Sequence, residues 1–322
     1  MNKIVVTGAG GFLGRSLSVS LANKGYDVIA LDNNSRGNLQ LLNDIKNINT
    51  AKVDILDLDE MKKIVKKSSI IFHLAAVNGT PNFYSKPKEV LEVGIIGTHN
   101  VLKAALENKV EKFVFASSAE VYNNPSAIPT NEEIECKIPD IANSRFSYGG
   151  SKIAGELMTF NYLKNTNTQF IIFRPHNVFG PNMGFEHVIP QVIEKIYLAK
   201  SSANGECNIK IEGSGKETRS FIYVDDAING IEVCTFKNAE SGIYNIGVDI
   251  ETTIKDLIIK ISNILNIKTN IFYSDMPKGS PIRRLPDVAK IKKIGFVPKY
   301  EFEKTLEHTV EWYWNYFNKK NI

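Results

Sequence analysis

Short apolar runs alternate with segments of helical periodicity through the first half of the chain. Runs such as KIVVT and QFIIFRP are rich in β-branched and aromatic residues, which is typical of buried strands. This alternation predicts an α/β fold with a doubly wound parallel sheet, whose strands are apolar throughout because helices cover both faces. The predicted strands are residues 3–7, 27–31, 51–55, 69–75, 111–117 and 169–175, and the predicted helices are residues 12–24, 57–67, 88–107 and 148–164.

After Pro175 the alternation is less regular. The pattern there predicts, in chain order, a helix near 186–199, a strand at 208–212, a loop at 213–220, a helix from 225, a strand at 242–247, and helices from 253 and 302. We interpret residues 1–175 as one domain. Residues 176–322 would form mainly a smaller lobe that closes over a ligand, and part of this segment would return to the sheet.

Size, charge and cysteine content narrow the class of protein. The 322 residues can form a substantial core, and the formal charge of +4 comes without a basic block, so nucleic-acid binding is not expected. No apolar run approaches the ~20 residues that span a bilayer, and Cys136, Cys207 and Cys234 share no CxxC spacing. We therefore expect a cytoplasmic protein with reduced cysteines, no membrane partner and no metal site.

The glycines between the first strand and the first helix predict a phosphate-binding turn. In TGAGGFLG, Gly8 permits the tight turn, Gly11 lets the backbone approach a pyrophosphate, and Gly14 lets the helix pack on the sheet. The phosphates would lie at the helix N-terminus, where free N–H groups and the helix dipole favour anions. A strand, these glycines and a helix in this order indicate a Rossmann-type dinucleotide site.

Asp32, at the end of the second strand, indicates NAD rather than NADP. A carboxylate there accepts hydrogen bonds from the ribose hydroxyls and repels a 2′-phosphate. Arg36 could receive such a phosphate, but its position in a polar loop favours a solvated side chain. Asp54, at the end of the third predicted strand, could accept from the adenine amino group or be an exposed loop acid.

Tyr148 and Lys152 lie four residues apart in SYGGSK, which places both on one face of a predicted helix. A free phenol has a pKa near ~10 and is a poor base at neutral pH. We expect the Lys152 ammonium and the positive nicotinamide of NAD⁺ to favour the phenolate, which could then deprotonate a hydroxyl as hydride leaves the same carbon. Considered alone, the pair could also belong to an ordinary amphipathic helix.

The segment SSAEVY follows the fifth strand, at the carboxyl edge of the sheet, where open α/β folds bind ligands. Ser118 can hydrogen-bond the reacting oxygen, whereas Ser117 can equally satisfy local backbone groups. Glu120 either faces the same pocket and acts on a neighbouring carbon, or is a turn residue that faces solvent.

Together these motifs resemble the extended short-chain dehydrogenase/reductases, and within them the NAD-dependent nucleotide-sugar epimerase/dehydratase family. The resemblance implies an enzyme that holds NAD and oxidises C4 of a nucleotide-diphosphate sugar to a 4-keto intermediate. The hydride returns later, so there is no net redox change. The segments that carry the resemblance span almost the whole chain: TGAGGFLG, Asp32, HLAA at 73–76, SSAEVY, YGGSK, RPHNVFGP, GSGKETRSFIYVDDA, YNIG, RRLPD and KKIGFVP.

The resemblance also implies catalytic and cofactor-binding roles. Tyr148 would be the base, Lys152 would also bind the nicotinamide ribose, and Ser118 would polarise the C4 oxygen of the sugar. The residues that we predict to contact the cofactor are Gly8, Gly11, Phe12, Leu13, Gly14, Asp32, Asn33, Asp54, Ile55, Leu74, Ala75, Ala76, Ser117, Tyr148, Lys152, Pro175 and Val178.

Further positions would contact the sugar nucleotide. Asn177 would contact its phosphates, and Arg219 and Arg284 would clamp its diphosphate, because guanidinium groups suit phosphate geometry. Without the surrounding motifs, both arginines could equally form surface ion pairs. The full predicted set of substrate contacts is Val77, Asn78, Asn177, His187, Val188, Ile211, Arg219 and Arg284.

Departures from the family pattern affect the choice of reaction. Gly94 stands where the family often has Asn. Simple 4-epimerases usually lack an acid at the position of Glu120, which hexose 4,6-dehydratases and uronate decarboxylases often carry. Ala119 stands where dTDP-glucose-type dehydratases have Asp. The arginines at positions 145 and 284 are a feature shared with the decarboxylases. We favour an epimerase or dehydratase, with a UDP-glucuronate-type decarboxylase as the alternative.

Two other functions stay open. One is a 4-keto sugar reductase with an exchangeable nicotinamide. The other is an NAD-binding module without chemistry, which we would expect to have lost Tyr148 or Lys152. Family members often dimerise through the helices that correspond to 88–107 and 148–164, so the resemblance also implies a homodimer.

Overall fold

The computed structural model describes residues 3–200, 207–237 and 239–320. Its strands are β1 (Lys3–Thr7), β2 (Asp27–Asp32), β3 (Ile48–Lys52), β4 (Ile70–His73), β5 (Lys112–Ala116), β6 (Gln169–Pro175), β7 (Val178–Phe179), β8 (Cys207–Glu212), β9 (Thr218–Arg219), β10 (Ile222–Tyr223), β11 (Gly242–Ile246), β12 (Thr252–Thr253), β13 (Thr269–Ser274) and β14 (Arg283–Arg284). Its helices are α1 (Phe12–Asn23), α2 (Leu58–Ile64), α3 (Thr80–Ser85), α4 (Pro87–Leu91), α5 (Thr98–Glu107), α6 (Ser147–Leu163), α7 (Val188–Lys200), α8 (Val224–Phe236), α9 (Ile254–Ile264), α10 (Ala289–Lys293) and α11 (Phe302–Lys320). Within these described ranges, no helix is long and apolar enough to cross a membrane.

Seven parallel strands form the central sheet, in the order β11-β6-β5-β4-β1-β2-β3. From β1 the chain first builds outward through β2 and β3, and then crosses back to β4 and builds the other half. The direction therefore reverses between β1 and β4, and ligands bind at the carboxyl ends of strands beside such a reversal. The predicted doubly wound α/β fold is confirmed.

Alternate side chains of each inner strand face opposite sides of the sheet. Ile4 and Val6 of β1 belong to one apolar cluster, together with Leu17 of α1, whereas Val5 packs into a second cluster with Met61 of α2. All five side chains are 0 % exposed. Because both faces are covered, every strand position can be apolar, as the sequence pattern predicts.

The predicted third strand is wrong by three residues. It was expected at 51–55, but β3 ends at Lys52, which pairs with Asp32 at the end of β2. The chain then turns, and Asp54 Oδ1 accepts a hydrogen bond from the Leu56 N–H at 2.9 Å. Asp54 therefore lies in the turn after the strand, and apolarity alone did not distinguish a strand from a partly buried turn.

The single helix predicted at 88–107 is interrupted. α4 and α5 are joined by a π-helical segment, Glu92–Gly97, and the preceding helix α3 was not predicted. Two glycines in this segment allow close packing: a Cβ on Gly94 would lie 2.6 Å from Ser151, and one on Gly97 would lie 2.4 Å from Ile55. Tertiary contacts therefore set a geometry here that helical periodicity does not reveal.

The second half of the chain adds small sheets and returns to the large one. β8 pairs with β13, which was not predicted, while β9 lies inside the segment expected to be a loop. β11 then forms the edge of the central sheet beside β6. The proposed division at residue 175 stays a prediction.

Candidate functional site

A cleft of about 750 Å³ lies at the carboxyl ends of the central strands. It is bordered by the turn after β1, the loops after β2, β4 and β5, the start of α6, and the segment before α7. All four residues predicted to be catalytic line it, namely Ser118, Glu120, Tyr148 and Lys152. The structure therefore brings together side chains that are far apart in the sequence.

The glycine turn has the shape that a pyrophosphate site requires. Gly8 has a φ of +71°, and a Cβ there would lie 2.7 Å from the Ala75 backbone nitrogen. A Cβ on Gly14 would lie 2.1 Å from the Gly8 carbonyl oxygen, so α1 could not approach β1 with any other residue. Gly11 precedes α1 without a side-chain cap, which leaves N–H groups at the helix start for an anion.

Asp32 is held at the cleft by the backbone around it. Its Oδ2 accepts from the Gly10 N–H at 3.0 Å, and its Oδ1 accepts from the Asn34 N–H at 2.8 Å. Asn33 donates to Asp54 Oδ2 at 2.9 Å, which ties the loops after β2 and β3 together. A carboxylate fixed at the end of β2 suits ribose hydroxyls, and the cradle fits a dinucleotide.

The other residues predicted to contact the cofactor also line the cleft. Ser117 donates its hydroxyl to Glu156, which is buried beneath the site. The remaining members of the predicted set at the cleft wall are Phe12, Leu13, Asn33, Asp54, Ile55, Leu74, Ala75, Ala76, Pro175 and Val178.

Arg36 is exposed to solvent, as we expected, but its guanidinium is also ion-paired. Its Nη2 lies 2.7 Å from Glu186 Oε2, and its Nη1 donates to the Asn78 carbonyl oxygen. Sequence position gave no sign of this contact, because Glu186 lies 150 residues away in the chain. Arg36 therefore bridges the loop after β2 and the segment before α7.

The phenol of Tyr148 is buried at the junction of the two halves of the cleft. The side chain is 6 % exposed, and its ring stacks on Phe83 with centroids 4.9 Å apart. Lys152 is buried one helical turn later and donates to the Ala116 carbonyl oxygen at 2.7 Å. Phe83 lies in α3, which was not predicted, and no pattern in the sequence indicated that it would stack on the Tyr148 ring.

The pKa of Tyr148 differs from our expectation, whereas Lys152 keeps its charge at neutral pH. Burial raises the pKa of Tyr148, and the Glu120 carboxylate raises it further, against smaller opposing effects of Ser118 and Arg36. Burial lowers the pKa of Lys152 to about 8, although the Glu156 carboxylate opposes this. The Lys152 Nζ donates to the Ala116 carbonyl oxygen and lies 5.6 Å from the Tyr148 ring centroid, and it does not offset the effect of burial on the pKa of the phenol. With protein groups alone, the phenol is protonated at neutral pH.

Glu120 lies among three arginines. Its Oε2 is 2.8 Å from Arg284 Nη2 and 3.7 Å from Arg145 Nη2. Burial raises the pKa of Glu120, but Arg284, Arg145 and Arg219 outweigh it and lower the pKa to about 2. Arg284 Nη2 approaches the carboxylate as an ion pair without the direction of a hydrogen bond. Arg284 and Glu120 line the cleft, whereas Arg145 and Arg219 lie behind that lining, where Arg219 also interacts with the Glu217 carboxylate. The cluster around Glu120 therefore contains more guanidinium groups than carboxylates.

Five of the predicted substrate contacts line the cleft. They are Val77, Asn78, Asn177, His187 and Arg284.

Three other predicted substrate contacts lie outside the cleft lining. Ile211 points into the core from β8 and is 5 % exposed. Val188 begins α7 and packs against the same core. Arg219 donates to the carbonyl oxygens of Thr218 and Pro281, although it is near enough to lower the pKa of Glu120. Residue type and spacing alone could not give these orientations.

Comparisons with known proteins identify the family. The profile of the NAD dependent epimerase/dehydratase family matches residues 4–247. UDP-N-acetyl-alpha-D-glucosaminuronate decarboxylase from Bacillus cytotoxicus is 29 % identical, over 97 % of both chains. dTDP-D-glucose 4,6-dehydratase from Dictyostelium discoideum is 30 % identical, over 98 % of this chain and 82 % of that protein.

A solved structure has the same architecture. UDP-N-acetylglucosamine 4-epimerase from Methanobrevibacter ruminantium M1, in complex with UDP-N-acetylmuramic acid, matches with a TM-score of 0.87 and 28 % identity, over 98 % of this chain and 99 % of that chain. The glycine cradle, the fixed Asp32 and the buried Tyr148–Lys152 pair agree with these similarities. The chain belongs to the NAD-dependent epimerase/dehydratase family.

Proposed function

We propose that the protein converts a nucleotide-diphosphate sugar by transient oxidation at C4 of the sugar. The supporting observation is that Tyr148, Lys152 and Ser118 lie in the same cleft as the dinucleotide cradle. The glycine turn and Asp32 would bind the pyrophosphate and a ribose of NAD, and Lys152 would bind the ribose of its nicotinamide. When bound, NAD⁺ supplies the hydride acceptor and the positive ring charge that would favour the phenolate.

The chain's own contribution is to move one proton at C4. The Tyr148 phenolate would take the proton of the C4 hydroxyl as that carbon is oxidised to a ketone, and the phenol would return the proton at the end. Ser118 would donate to the C4 oxygen. The pKa of Lys152, about 8, keeps its side chain mostly charged at neutral pH, as its binding role requires.

The charge around Glu120 favours a decarboxylase as the second candidate function. With a pKa of about 2, Glu120 carries no proton at neutral pH and is a poor donor to a departing hydroxyl, as dehydration would require. The excess arginine charge suits a carboxylate at C6 of the sugar. In that reaction the C5–C6 bond would break, carbon dioxide would leave, the electron pair would pass to the C4 ketone as an enolate, and C5 would then gain a proton.

A panel of UDP-, GDP- and dTDP-linked hexoses and uronates tests both candidates. Mass spectrometry of the product distinguishes them, because epimerisation leaves the mass unchanged, dehydration removes water and decarboxylation removes carbon dioxide. Ligand released from denatured protein would identify bound NAD. Failure to turn over any member of the panel, together with failure to bind NAD, would remove the proposal. Turnover of neutral hexoses but of no uronate would remove the decarboxylase candidate.

We also propose a homodimer that forms through α5 and α6. In support, α6 carries exposed Leu157 and Phe160, at 60 % and 45 % exposure, and Ile96 beside α5 is 51 % exposed. Apolar helix faces of this kind are typical of subunit contacts. Leu157→Glu combined with Phe160→Glu should halve the mass measured by light scattering, whereas Leu198→Glu, at a position of α7 that is 50 % exposed, should not.

A further inference from the structure

The loop 182–187 forms the side of the cleft that faces the glycine turn. All six of its residues line the cleft, together with Gly10 and Gly11 of the turn. The loop belongs to the second half of the chain, whereas the turn belongs to the first. A dinucleotide that lies on the glycine turn would therefore lie between two separately anchored segments.

The back of this loop is firmly held by the last helix. Tyr313 of α11 is 0 % exposed and donates its hydroxyl to the Gly184 carbonyl oxygen at 2.7 Å. The Met183 N–H donates to the same hydroxyl oxygen at 2.9 Å. Phe185 packs against the ring of Tyr316, with centroids 5.1 Å apart. The loop is thus a built feature of the fold with its own anchor.

The front of the loop contacts the dinucleotide-binding half at two points. Glu186 Oε2 pairs with Arg36 Nη2 at 2.7 Å. With its amide oxygen turned toward α1, Asn182 accepts from Arg15 Nη1 at 2.6 Å and from Nη2 at 3.0 Å. Both arginines line the cleft, and Arg15 directly follows the last glycine of the turn. Two bridges therefore cross the cleft beside the expected path of the cofactor.

We propose that the loop 182–187 is a clasp that retains the bound dinucleotide, and that the Arg36–Glu186 ion pair controls its opening. This inference rests on the proposed binding of NAD in the cleft, but not on which sugar is converted. The two partners come from opposite sides of the cleft and meet across it, so the ion pair must break or shift before a ligand beneath this bridge can leave on that side. The Arg36 side chain is 37 % exposed and that of Glu186 is 33 % exposed, so salt should weaken the contact.

The test is the rate at which NAD leaves the protein. Purified protein is loaded with NAD and freed of excess, and release is followed after dilution into a competing adenine dinucleotide. Glu186→Gln and Arg36→Gln should each accelerate release about 2- to 5-fold, the range expected for a partly exposed ion pair. The double variant should release NAD no faster than either single variant, because all three lack the same contact.

Two controls separate the clasp from general loosening. Glu303→Gln removes an ion pair of similar length, Lys260–Glu303 at 2.8 Å, which lies outside the cleft lining, and it should not change the release rate. Exchange of the two charges in Arg36→Glu with Glu186→Arg should restore slow release. Raising the salt concentration from about 0.05 M to about 0.5 M should accelerate release from the unchanged protein more than from Glu186→Gln.

The outcomes are distinct. Release from Glu186→Gln at the rate of the unchanged protein would overturn the clasp. Additive effects of the two single variants would overturn it as well, because Arg36 would then act on the cofactor independently of Glu186. If the unchanged protein takes up no NAD, the proposed function itself fails.

Discussion

The two walls of the cleft are built on opposite principles. The wall that would hold the cofactor phosphates uses backbone geometry, with Gly8 at a positive φ and Gly14 in contact with the Gly8 carbonyl oxygen. The wall around Glu120 uses charged side chains, which come from a 3₁₀ turn after β5, a second turn before α6, β9 and β14. The first wall depends on the absence of side chains, and the second depends on a balance between them.

This difference indicates which wall can change its ligand. A backbone cradle accepts any dinucleotide pyrophosphate, and nearly every substitution at its glycines is obstructed by main-chain atoms. The arginine wall has three cations around one carboxylate, so a single substitution changes its net charge. We expect members of this fold to differ in substrate at the second wall while they keep the first.

The largest effect should come from Tyr148, which lies between the two walls. Tyr148→Phe should lower turnover about 10²- to 10⁴-fold, because the base is removed. The protein should still bind NAD, since the glycine turn and Asp32 are unchanged and the ring can still stack on Phe83. Steady-state product formation and cofactor release on denaturation are the measurements. Tyr84→Phe, at an exposed tyrosine, is the control, and equal activity in the two variants would exclude the proposed role.

Breaking the charge balance of the second wall should be the next largest effect. Arg284→Met leaves Glu120 with a weaker partner at 3.7 Å, and we expect a loss of up to about 3 kcal/mol in the free energy of unfolding. Breaking a fully buried ion pair usually costs about 3–5 kcal/mol, and we expect the lower end of that range because the Glu120 side chain is 21 % exposed. The measurement is urea unfolding.

The double variant Glu120→Gln, Arg284→Met should recover only part of this loss, because the buried Arg145 guanidinium then loses its carboxylate partner. Arg283→Met removes the neighbouring arginine, whose side chain is 50 % exposed and pairs with Glu251, and should cost no more than about 1 kcal/mol in the free energy of unfolding. Equal losses at Arg283 and Arg284 would show that the second wall is not a special charge cluster.

The backbone wall should respond through packing and not through charge. Gly14→Ala places a Cβ 2.1 Å from the Gly8 carbonyl oxygen, and we expect a loss of about 1–3 kcal/mol in the free energy of unfolding, together with loss of bound NAD. Gly242→Ala is the matched control, since its Cβ would meet only Lys290 Nζ at 3.7 Å. If Gly14→Ala retains full NAD content, the two walls do not differ in the way described.

Two buried histidines lie near the two walls: His73 bonds to Thr7, just before the glycine turn, and His176 lies near Arg284. We expect the protonation of each histidine to give the smallest change in stability of those considered. Burial lowers the pKa of both His73 and His176 to about 3. Between pH 3 and the ordinary value of 6.5, the unfolded chain binds more protons than the folded chain, so stability falls as the pH falls. Each histidine should lower the free energy of unfolding by about 1–2 kcal/mol between about pH 7 and about pH 5.

Urea unfolding across this pH range measures the slope. His73→Asn and His176→Asn should each make stability less dependent on pH. Each variant should lack the loss of about 1–2 kcal/mol that one histidine contributes over this range, whatever its stability at neutral pH. An unchanged slope in both variants would mean that other groups account for the acid sensitivity. If the slope changes in only one variant, only that histidine contributes to the acid sensitivity.

Much of the phosphate wall could be read from the sequence, because its contacts are local. Gly8, Gly11 and Gly14 lie within one strand-turn-helix segment, and the strand ends that carry Asp32 and Ser118 follow from the alternation of strands and helices. Less could be read where segments far apart in the chain meet. The π-helical segment Glu92–Gly97, the stacking of Phe83 on Tyr148, and β13 depend on such contacts.

The sequence alone determined the fold class, and it predicted where the cofactor would bind and which groups could carry out chemistry. These depend on periodicity and short motifs, which act over a few residues. Only the tertiary structure decided that Arg36 pairs with Glu186, that Ile211 faces the core, and that burial keeps the Tyr148 phenol protonated. Desolvation and ion pairing depend on which distant side chains exclude water from one another, and a linear pattern does not contain those distances.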